Sequence, residues 1–368
     1  MSEVAMAGDV IAEQVAEGAG VARRVERLRV GVVGAGAMGA DHVRTLSSSV
    51  PAATVTRVYD LDGERALLTA RPAGAALASS AEALVASSDV DAVVVASPDS
   101  THADLVLACL AAGKPVLCEK PLAVTPEAAL EVVRAEVASG RRMIQVGFMR
   151  RYDPGFLELR RVIGQGQVGS IRLVHAVHRN ASSSTSLDDA TLVSGSMVHE
   201  IDTIPWLLDD ELVGIRVESP LVDGFRDPQI ATMWTRGGAM ATVEVFVNAT
   251  YGYDVACEVV GTGGTAALSP GSSVSTRTAG RQEHLIRSDF VDFFRDAYRA
   301  ELSDWVHSVS TGVVAGPSAW DGYVAAVAAR AGIRSLATGF REPVEPGERP
   351  DLYATNPDQN ATRRHSRA

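Results

Sequence analysis

The sequence predicts an α/β protein in which a doubly wound parallel sheet is followed by an α+β domain built on a large, mainly antiparallel open sheet. Two observations predict it. Buried strands alternate with helices from Leu28 to Phe148, as in a parallel sheet covered on both faces. From Ile171 to Val260, apolar residues recur with a period of two between glycine turns, as in antiparallel strands with one buried face. The expected organisation is an N-terminal extension at 1–27, the parallel sheet at 28–148, the second domain at 149–345 and a polar tail at 346–368.

The first strand leads directly into a glycine-rich turn. The valine-rich run Leu28–Val33 is typical of a strand buried on both faces, and a helix is expected from Met38 to Leu46. Gly34, Gly36 and Gly39 have the G-x-G-x-x-G spacing of a Rossmann dinucleotide-binding turn. In such a turn the backbone approaches a pyrophosphate. We expect a dinucleotide to contact Gly34, Gly36, Ala37, Met38 and Gly39.

An acidic residue follows the second strand. The run Thr54–Tyr59 is followed directly by Asp60. In dinucleotide-binding sheets, the acid that binds the adenosine ribose lies about 20 residues beyond the glycine turn, and Asp60 has a similar position. Asp60 and Asp62 would repel a 2′-phosphate, although Arg57 or Arg65 would offset part of that repulsion. NAD is therefore the predicted cofactor. The alternative is a structural turn with Asp60 as an ordinary solvated strand end.

Two later strands bring further residues to the same edge. The buried strand Val90–Ala96 is followed by Ser97 and Pro98, which are expected to contact the cofactor because ligands bind at the carboxyl edge of such sheets. His102, a few residues further on, is expected to pack or cap rather than to catalyse, since no partner for it is evident nearby in the sequence.

The strand that begins at Lys114 ends in Glu119-Lys120-Pro121. Lys120 then stands in the crevice assigned to the cofactor, where an amine is placed to exchange a proton with a substrate hydroxyl. Glu119 and Lys120 are also expected to contact the cofactor. Pro121 restricts Lys120 to an extended backbone, and the bond between them is a candidate cis peptide.

The second domain contains a helix whose polar residues stand out. The segment Ser194–Leu208 has a helical apolar stripe, while His199 and Asp202, three positions apart, share a different face. Pro205 lies in the helix interior, where it removes one backbone hydrogen bond. A lone histidine on a helix is more often structural than catalytic, so His199 gains significance only from the residues around it.

Composition limits the classes of partner. The 368 residues carry 34 Lys and Arg against 45 Asp and Glu, a net charge of −11, which argues against nucleic acid and anionic membrane surfaces. Three well-separated cysteines without a C-x-x-C pair argue against a disulfide framework or a metal site. The first residues lack a basic cluster, and no apolar run approaches the ~18 residues of a membrane span. We expect a cytoplasmic protein whose partner is a small molecule or another copy of itself.

Several motifs together resemble the glucose-fructose oxidoreductase, inositol dehydrogenase and MocA (Gfo/Idh/MocA) family, most closely its NAD-dependent inositol 2-dehydrogenases. The resemblance runs from about Leu28 to Phe340 and rests on Gly34-x-Gly36-x-x-Gly39, Glu119-Lys120-Pro121, Gln145-Val-Gly-Phe-Met-Arg-Arg-Tyr152, His178-Arg-Asn180, Val198-His-Glu-Ile-Asp202 and Asp321-Gly322.

The resemblance implies oxidation of a ring hydroxyl of inositol or a related cyclitol to a ketone. Lys120 and His199 match the catalytic lysine and histidine of the family. Met149 and Arg150 match a segment lining the substrate site, as does Tyr253. A homotetramer is usual in the family, which fits the open sheet predicted for the second domain.

One position departs from the family pattern, which has an aspartate four residues before the histidine where this chain has Gly195. Either another residue orients His199 or the substrate differs. Asp202 does not fill the role, since it matches a later aspartate of the family. Three alternatives stay open: an aminocyclitol or sugar dehydrogenase of specialised, aminoglycoside-type metabolism; an NAD-binding protein without turnover; and redox-assisted bond cleavage with the cofactor recycled.

Overall fold

The computed structural model describes residues 27–182, 188–221, 224–269, 275–284 and 286–354. The N-terminal extension expected at 1–27 lies outside these residues except for Arg27, as does the part of the expected tail from residue 355 onward. The strands are β1 (Leu28–Val33), β2 (Ala53–Tyr59), β3 (Ala76–Leu77), β4 (Ala92–Val95), β5 (Val116–Glu119), β6 (Ile144–Gly147), β7 (Ile171–Arg179), β8 (Leu212–Glu218), β9 (Gln229–Thr235), β10 (Met240–Phe246), β11 (Asp254–Gly261), β12 (Gly264–Ala267), β13 (Ser275–Thr278), β14 (Arg281–His284) and β15 (Glu342–Pro343).

Helices connect these strands. They are α1 (Ala37–Ser49), α2 (Gly63–Ala73), α3 (Ala81–Ala86), α4 (His102–Ala111), α5 (Pro126–Ser139), α6 (Pro154–Gly164), α7 (Asp189–Thr191), α8 (Val198–Leu208), α9 (Phe290–Phe293), α10 (Arg295–Ser310) and α11 (Ala319–Thr338). Short 3₁₀ turns at Asp99–Thr101, Met149–Tyr152 and Asp351–Tyr353 complete the description, together with a π-helical turn at Leu192–Met197.

The N-terminal sheet is the doubly wound sheet that the sequence predicts. Its six parallel strands lie in the order β3-β2-β1-β4-β5-β6, and the central strand β4 is buried along its whole length. Such strands are rich in valine because helices cover both faces and leave no side for polar residues. The strand order reverses between β1 and β4, so the crevice for a ligand opens at their carboxyl ends.

The second domain is built on a seven-stranded sheet in the order β12-β11-β7-β10-β9-β8-β15. The prediction of a mainly antiparallel sheet is confirmed: β7 and β10 pair in parallel, and the other neighbours are antiparallel. Alternate residues of β7 are buried, such as Val174 and Ala176, because α8 and α11 cover only one face. The open face carries Ile230, whose side chain is half exposed.

The chain returns to the first domain after the second sheet. Helix α10 packs Leu302, Trp305 and Val306 into the core on one face of the parallel sheet. Further on, Tyr353 is buried and donates its hydroxyl hydrogen bond to Glu136 Oε2 of α5 at 2.7 Å. Both α10 and the segment around Tyr353 therefore pack on the first domain, in addition to the chain connection at residue 149.

Two further properties concern the length of the apolar helices and the state of the cysteines. Within the described residues, none of the helices combines the length and apolarity that crossing a membrane requires. Cys109, Cys118 and Cys257 are all buried free thiols, which agrees with the prediction of no disulfide framework. Burial raises the pKa of the Cys109 thiol to about 12, so it stays protonated and unreactive at neutral pH.

Candidate active site

The glycine turn leaves a cradle of backbone at the start of α1. Gly34 has φ +95°, and a Cβ on it would lie 2.4 Å from the Ala96 carbonyl oxygen; a Cβ on Gly39 would lie 1.9 Å from the Gly34 oxygen. A Cβ on Gly36 would meet nothing within 4 Å, and no side chain caps the helix there. Two glycines are therefore needed for close packing, while the third borders open space at a helix N-terminus, which fits a pyrophosphate.

Asp60 closes one side of this cradle. Its Oδ2 accepts a hydrogen bond from the Ala35 amide at 2.7 Å, and its Oδ1 accepts one from the Asp62 amide at 2.8 Å. Of the two arginines weighed from the sequence, Arg65 lies 3.8 Å from Asp60, whereas Arg57 donates to Asp89 at 2.9 Å. Only Arg65 is therefore placed to offset the acidic charge beside the ribose position.

His102 joins the two segments that border the crevice. It is buried, with Nδ1 2.7 Å from the Pro121 carbonyl oxygen and Nε2 2.9 Å from the Ser97 carbonyl oxygen. The hydroxyl of Ser97 lies 2.6 Å from that of Thr101. The predicted packing role of His102 fits these contacts, which fix Ser97 and Pro98 beside the segment that carries Lys120.

Lys120 follows β5 and reaches the second domain. The peptide bond between Lys120 and Pro121 is cis, as the sequence suggested. Lys120 Nζ donates a hydrogen bond to the carbonyl oxygen of Gly195 at 2.9 Å. Burial alone would raise the pKa of the neighbouring Glu119, but the hydrogen bond and charge of His42, 2.7 Å away, hold it below its ordinary value. The Glu119 carboxylate is thus occupied by His42 of α1.

A π-helical turn places Gly195 and His199. The predicted helix over Ser194–Leu208 is α-helical only from Val198, because Leu192–Met197 adopt the wider π form, which is often found at functional sites. His199 is buried in the first turn of α8, with its ring 5.8 Å from that of His178. Burial, together with the charges of Lys120 and Arg150, lowers the pKa of His199 well below its ordinary value. His199 is therefore neutral at neutral pH.

A buried network lies beside His199. Arg150 Nη1 donates to Glu200 Oε1, while the other carboxylate oxygen of Glu200 lies 3.4 Å from His178 Nδ1. His178 Nε2 lies 3.4 Å from the Tyr253 hydroxyl. Burial would raise the pKa of Glu200, but Arg150 and His178 hold it at about 2. Nε and Nη2 of Arg150 are fully buried, and the guanidinium is surrounded by Glu200 and the neighbouring Tyr253 hydroxyl.

Sequence reasoning assigned no role to His178 or Glu200. Both lie within the motifs quoted above, but nothing in their spacing shows that a strand residue and a helix residue pair in space. From the family resemblance, Arg150 is expected to line the substrate site. It is buried and held by Glu200, with its guanidinium 5.7 Å from the ring centre of Phe156.

Arg151 and Asp202 form a separate ion pair away from this network. Arg151 Nε donates to Asp202 Oδ2 at 3.0 Å, and its Nη2 lies 3.2 Å from Asp321. Burial raises the pKa of Asp202 to about 6 even though Arg151 opposes the shift. The consecutive residues Arg150 and Arg151 thus bind different acids of α8. The pair of Arg151 with Asp202 connects α8 to the 3₁₀ turn Met149–Tyr152.

The fold brings Lys120 of the first domain beside the segment of the second domain that carries Gly195 and His199. Lys120 comes from the carboxyl edge of the parallel sheet, and Gly195, His199 and Tyr253 come from the second domain. Buried Met149 lies at the crossover between them. An amine and a neutral imidazole are groups that can serve proton transfer from a hydroxylated ring.

Comparison with known proteins points to the same chemistry. Residues 28–148 match the oxidoreductase family with an NAD-binding Rossmann fold that is named Gfo/Idh/MocA, and residues 156–267 match the C-terminal domain of that family. Inositol 2-dehydrogenase 2 of Saccharopolyspora erythraea is 46% identical over 333 residues, covering 89% of this chain and 98% of that protein. An inositol 2-dehydrogenase of Pseudomonas syringae is 42% identical, with 89% and 99% covered.

A solved structure is similar over the same extent. The crystal structure of myo-inositol dehydrogenase from Lactobacillus casei in complex with NAD(H) and myo-inositol aligns with a TM-score of 0.85 at 35% sequence identity. The alignment covers 89% of this chain and 99% of that chain. The match spans both sheets, so the cleft between them is part of the shared architecture.

Proposed function

Because the chain belongs to the Gfo/Idh/MocA oxidoreductase family, we propose that it oxidises a ring hydroxyl of inositol or a related cyclitol to a ketone, with NAD as cofactor. The observation that carries this proposal is the hydrogen bond from Lys120 Nζ to the Gly195 carbonyl. It sets an amine at the carboxyl edge of the cofactor domain against the segment that leads to His199. The inositol dehydrogenases to which the chain is similar support inositol as the substrate class.

Different residues are expected to bind the cofactor and the substrate. The backbone around Gly36 would hold the pyrophosphate and Asp60 the adenosine ribose, with Ser97, Pro98 and Glu119 further along the same edge. NAD supplies the hydride acceptor when it is bound. Arg150 and Tyr253, which belong to the buried network, would orient the remaining hydroxyls.

Proton transfer is assigned to Lys120 and His199. Lys120 accepts the proton of the reacting hydroxyl through Nζ, for which general base catalysis typically contributes about 10²–10⁴-fold. Neutral His199 donates a hydrogen bond to the same oxygen and stabilises its developing negative charge, which is effective because the imidazole is buried. Glu200 holds Arg150 and His178 in place beside them.

We also propose that the protein forms a homo-oligomer through the open face of the second sheet, and a tetramer is the expected form. This face is crossed by apolar residues in register, with Leu173 beside Met240 and Met240 beside Trp234. Light scattering of the purified protein gives its mass directly. An Ile230→Lys variant, changed at an exposed position on this face, is expected to shift the mass downward.

A panel of cyclitols and pyranoses, screened for NADH absorbance, tests the proposed reaction. The expected result is NADH formation with at least one inositol and none without a substrate. Product formation without net NADH would indicate bond cleavage with the cofactor recycled, and NAD binding without turnover of any ring would indicate a binding protein. Either result would overturn the proposal.

A further inference from the structure

Four buried side chains beside His199 form a closed circuit of hydrogen bonds. Arg150 donates to Glu200 Oε1, and Glu200 Oε2 lies 3.4 Å from His178 Nδ1. His178 Nε2 lies 3.4 Å from the Tyr253 hydroxyl, which is also hydrogen-bonded to Arg150. Each of the four residues is at most 3% exposed. Bulk solvent therefore cannot complete these contacts, and the four groups must satisfy one another.

The chemistry of the groups fixes the proton on His178. Burial would raise the pKa of Glu200, but Arg150 and His178 hold it at about 2, so its ionised carboxylate has only acceptors. Burial lowers the pKa of His178, and Glu200 only partly opposes this, so the imidazole is neutral near neutral pH with one N–H and one lone pair. Because Nδ1 faces a group that cannot donate, the N–H is on Nδ1 and the lone pair is on Nε2.

This tautomer of His178 decides the role of Tyr253. Burial raises the pKa of the Tyr253 hydroxyl, so the hydroxyl keeps its single proton. That proton is directed to the lone pair on His178 Nε2, while the Tyr253 oxygen accepts from Arg150. Each of the four contacts then pairs a donor with an acceptor. The other tautomer would set the Nδ1 lone pair against the Glu200 carboxylate.

The ring of His178 also lies against His199. Their ring centres are 5.8 Å apart and their planes are inclined at 67°, an edge-to-face arrangement. With both nitrogens engaged, the His178 ring cannot turn, and it presents a fixed surface to the imidazole of His199. The sequence left open which residue orients His199 in a chain that has Gly195 four positions earlier.

We propose that Glu200 is a positioning residue: its carboxylate fixes His178 as the Nδ1–H tautomer, and the immobilised His178 ring orients His199 for proton transfer. The inference rests on the proposed function for the role of His199, whereas the tautomer of His178 is a property of the folded protein alone. The role requires the charge of Glu200 as well as its shape, because only a group without a donor excludes the other tautomer.

Glu200→Gln separates charge from shape, since an NH₂ group of similar size replaces one carboxylate oxygen. Arg150 can only donate, so the amide oxygen of the variant must face Arg150 and the NH₂ group must face His178 Nδ1. His178 is then forced into the Nε2–H tautomer, and this N–H turns the Tyr253 proton away.

The kinetic test uses the reaction proposed above. We expect kcat of Glu200→Gln to fall by about 10–10²-fold, the loss typical of a misplaced catalytic group. Glu158→Gln is the matched control, because Glu158 also accepts from an arginine, Arg161 Nε at 2.7 Å, but is exposed on α6. It should leave kcat unchanged. A wild-type kcat in Glu200→Gln, or equal losses in both variants, would overturn the proposal.

Neutron diffraction from crystals grown in D₂O near neutral pD reads the tautomer directly. We expect deuterium on His178 Nδ1 in the wild type and on Nε2 in Glu200→Gln, where the ring of His199 should also be reoriented. In Tyr253→Phe, deuterium should stay on Nδ1, because Glu200 sets the tautomer and remains in place. Deuterium on Nε2 of the wild type would overturn the inference, and this measurement stands even if Glu200→Gln does not fold.

Failure of this inference is separable from failure of the proposed function. If myo-inositol is oxidised but the wild-type crystal shows deuterium on His178 Nε2, the positioning role of Glu200 is wrong while the dehydrogenase proposal stands. If no ring in the cyclitol panel is oxidised, the proposed function fails and the catalytic role given to Glu200 fails with it, whereas the tautomer is still read from the crystal.

Discussion

Lys120 Nζ lies 2.9 Å from the carbonyl oxygen of Gly195, and this contact joins the cofactor-binding sheet to the turn that precedes His199. The amine belongs to the first domain, and its acceptor belongs to the second. The reactive geometry therefore exists only when both domains are folded and packed together. The acceptor is a backbone carbonyl, so the side chain of Lys120 is positioned by the second domain through a neutral group.

The role of Lys120 is tested by Lys120→Met, which keeps the length of the side chain but removes the amine. We expect kcat to fall by about 10³-fold, because the variant lacks the amine that is proposed to accept the hydroxyl proton. Affinity for NADH is expected to fall far less than kcat, since Lys120 is one of several residues expected to contact the cofactor. Lys114 is the only other lysine in the chain and lies near the opposite end of the same strand, so Lys114→Met is the matched control. Equal losses in both variants would contradict the assignment.

Cofactor choice is tested by Asp60→Asn. The change removes the negative charge beside the ribose position but leaves an oxygen that can accept from Ala35. We expect kcat/KM with NAD to fall and that with NADP to rise, so that their ratio drops by about tenfold or more, because Arg65 is then less neutralised. Faster reduction of NADP than NAD by the wild-type protein would show that the role given to Asp60 is wrong.

The buried neutral state of His199 predicts a pH dependence of stability. Its pKa in the folded protein is well below the ordinary value near 6.5, so below about pH 6.5 the unfolded chain binds a proton that the folded protein does not. The wild type should therefore lose stability relative to His199→Gln as the pH falls, by up to about 1.4 kcal/mol per pH unit.

Urea unfolding at pH 7.5 and 5.5 measures this difference. His175→Gln is the control, since His175 is exposed on the open sheet face and contacts only Thr242 among the hydrogen bonds of the described residues. A gap between wild type and His199→Gln that stays constant across this range would show that His199 is not held neutral by the fold.

The contact between Tyr353 and Glu136 predicts a stability effect far from the active site. Glu136 is fully buried, and its other oxygen accepts hydrogen bonds from the amides of Met143 at 2.6 Å and Ile144 at 2.7 Å. Tyr353→Phe removes the hydroxyl that donates a hydrogen bond to this carboxyl, at an expected cost of about 1–2 kcal/mol in the free energy of unfolding. Tyr251→Phe, at a half-exposed tyrosine, should cost less. Thermal unfolding compares the two, and equal losses would argue against the contact.

Local sequence patterns were sufficient for the order of the elements in the first domain. The predicted helix over Met38–Leu46 lies within the observed helix Ala37–Ser49, and the predicted strand Thr54–Tyr59 differs by one residue. The helix over Ser194–Leu208 was the poorest match, because its first part is π-helical. That geometry depends on the segment's contacts with Lys120 and with neighbouring strands, which periodicity does not register.

The sequence by itself determined the dinucleotide turn, the placement of Asp60 and Lys120 at strand ends, and the family, since these depend on spacing along the chain. Only the tertiary structure decided that Arg150 and His178 share Glu200, that Arg57 is committed to Asp89, and that the space beside Gly195 is open. These are relations between residues distant along the chain, and packing fixes them because a buried charge must find its partner wherever the fold brings one within reach.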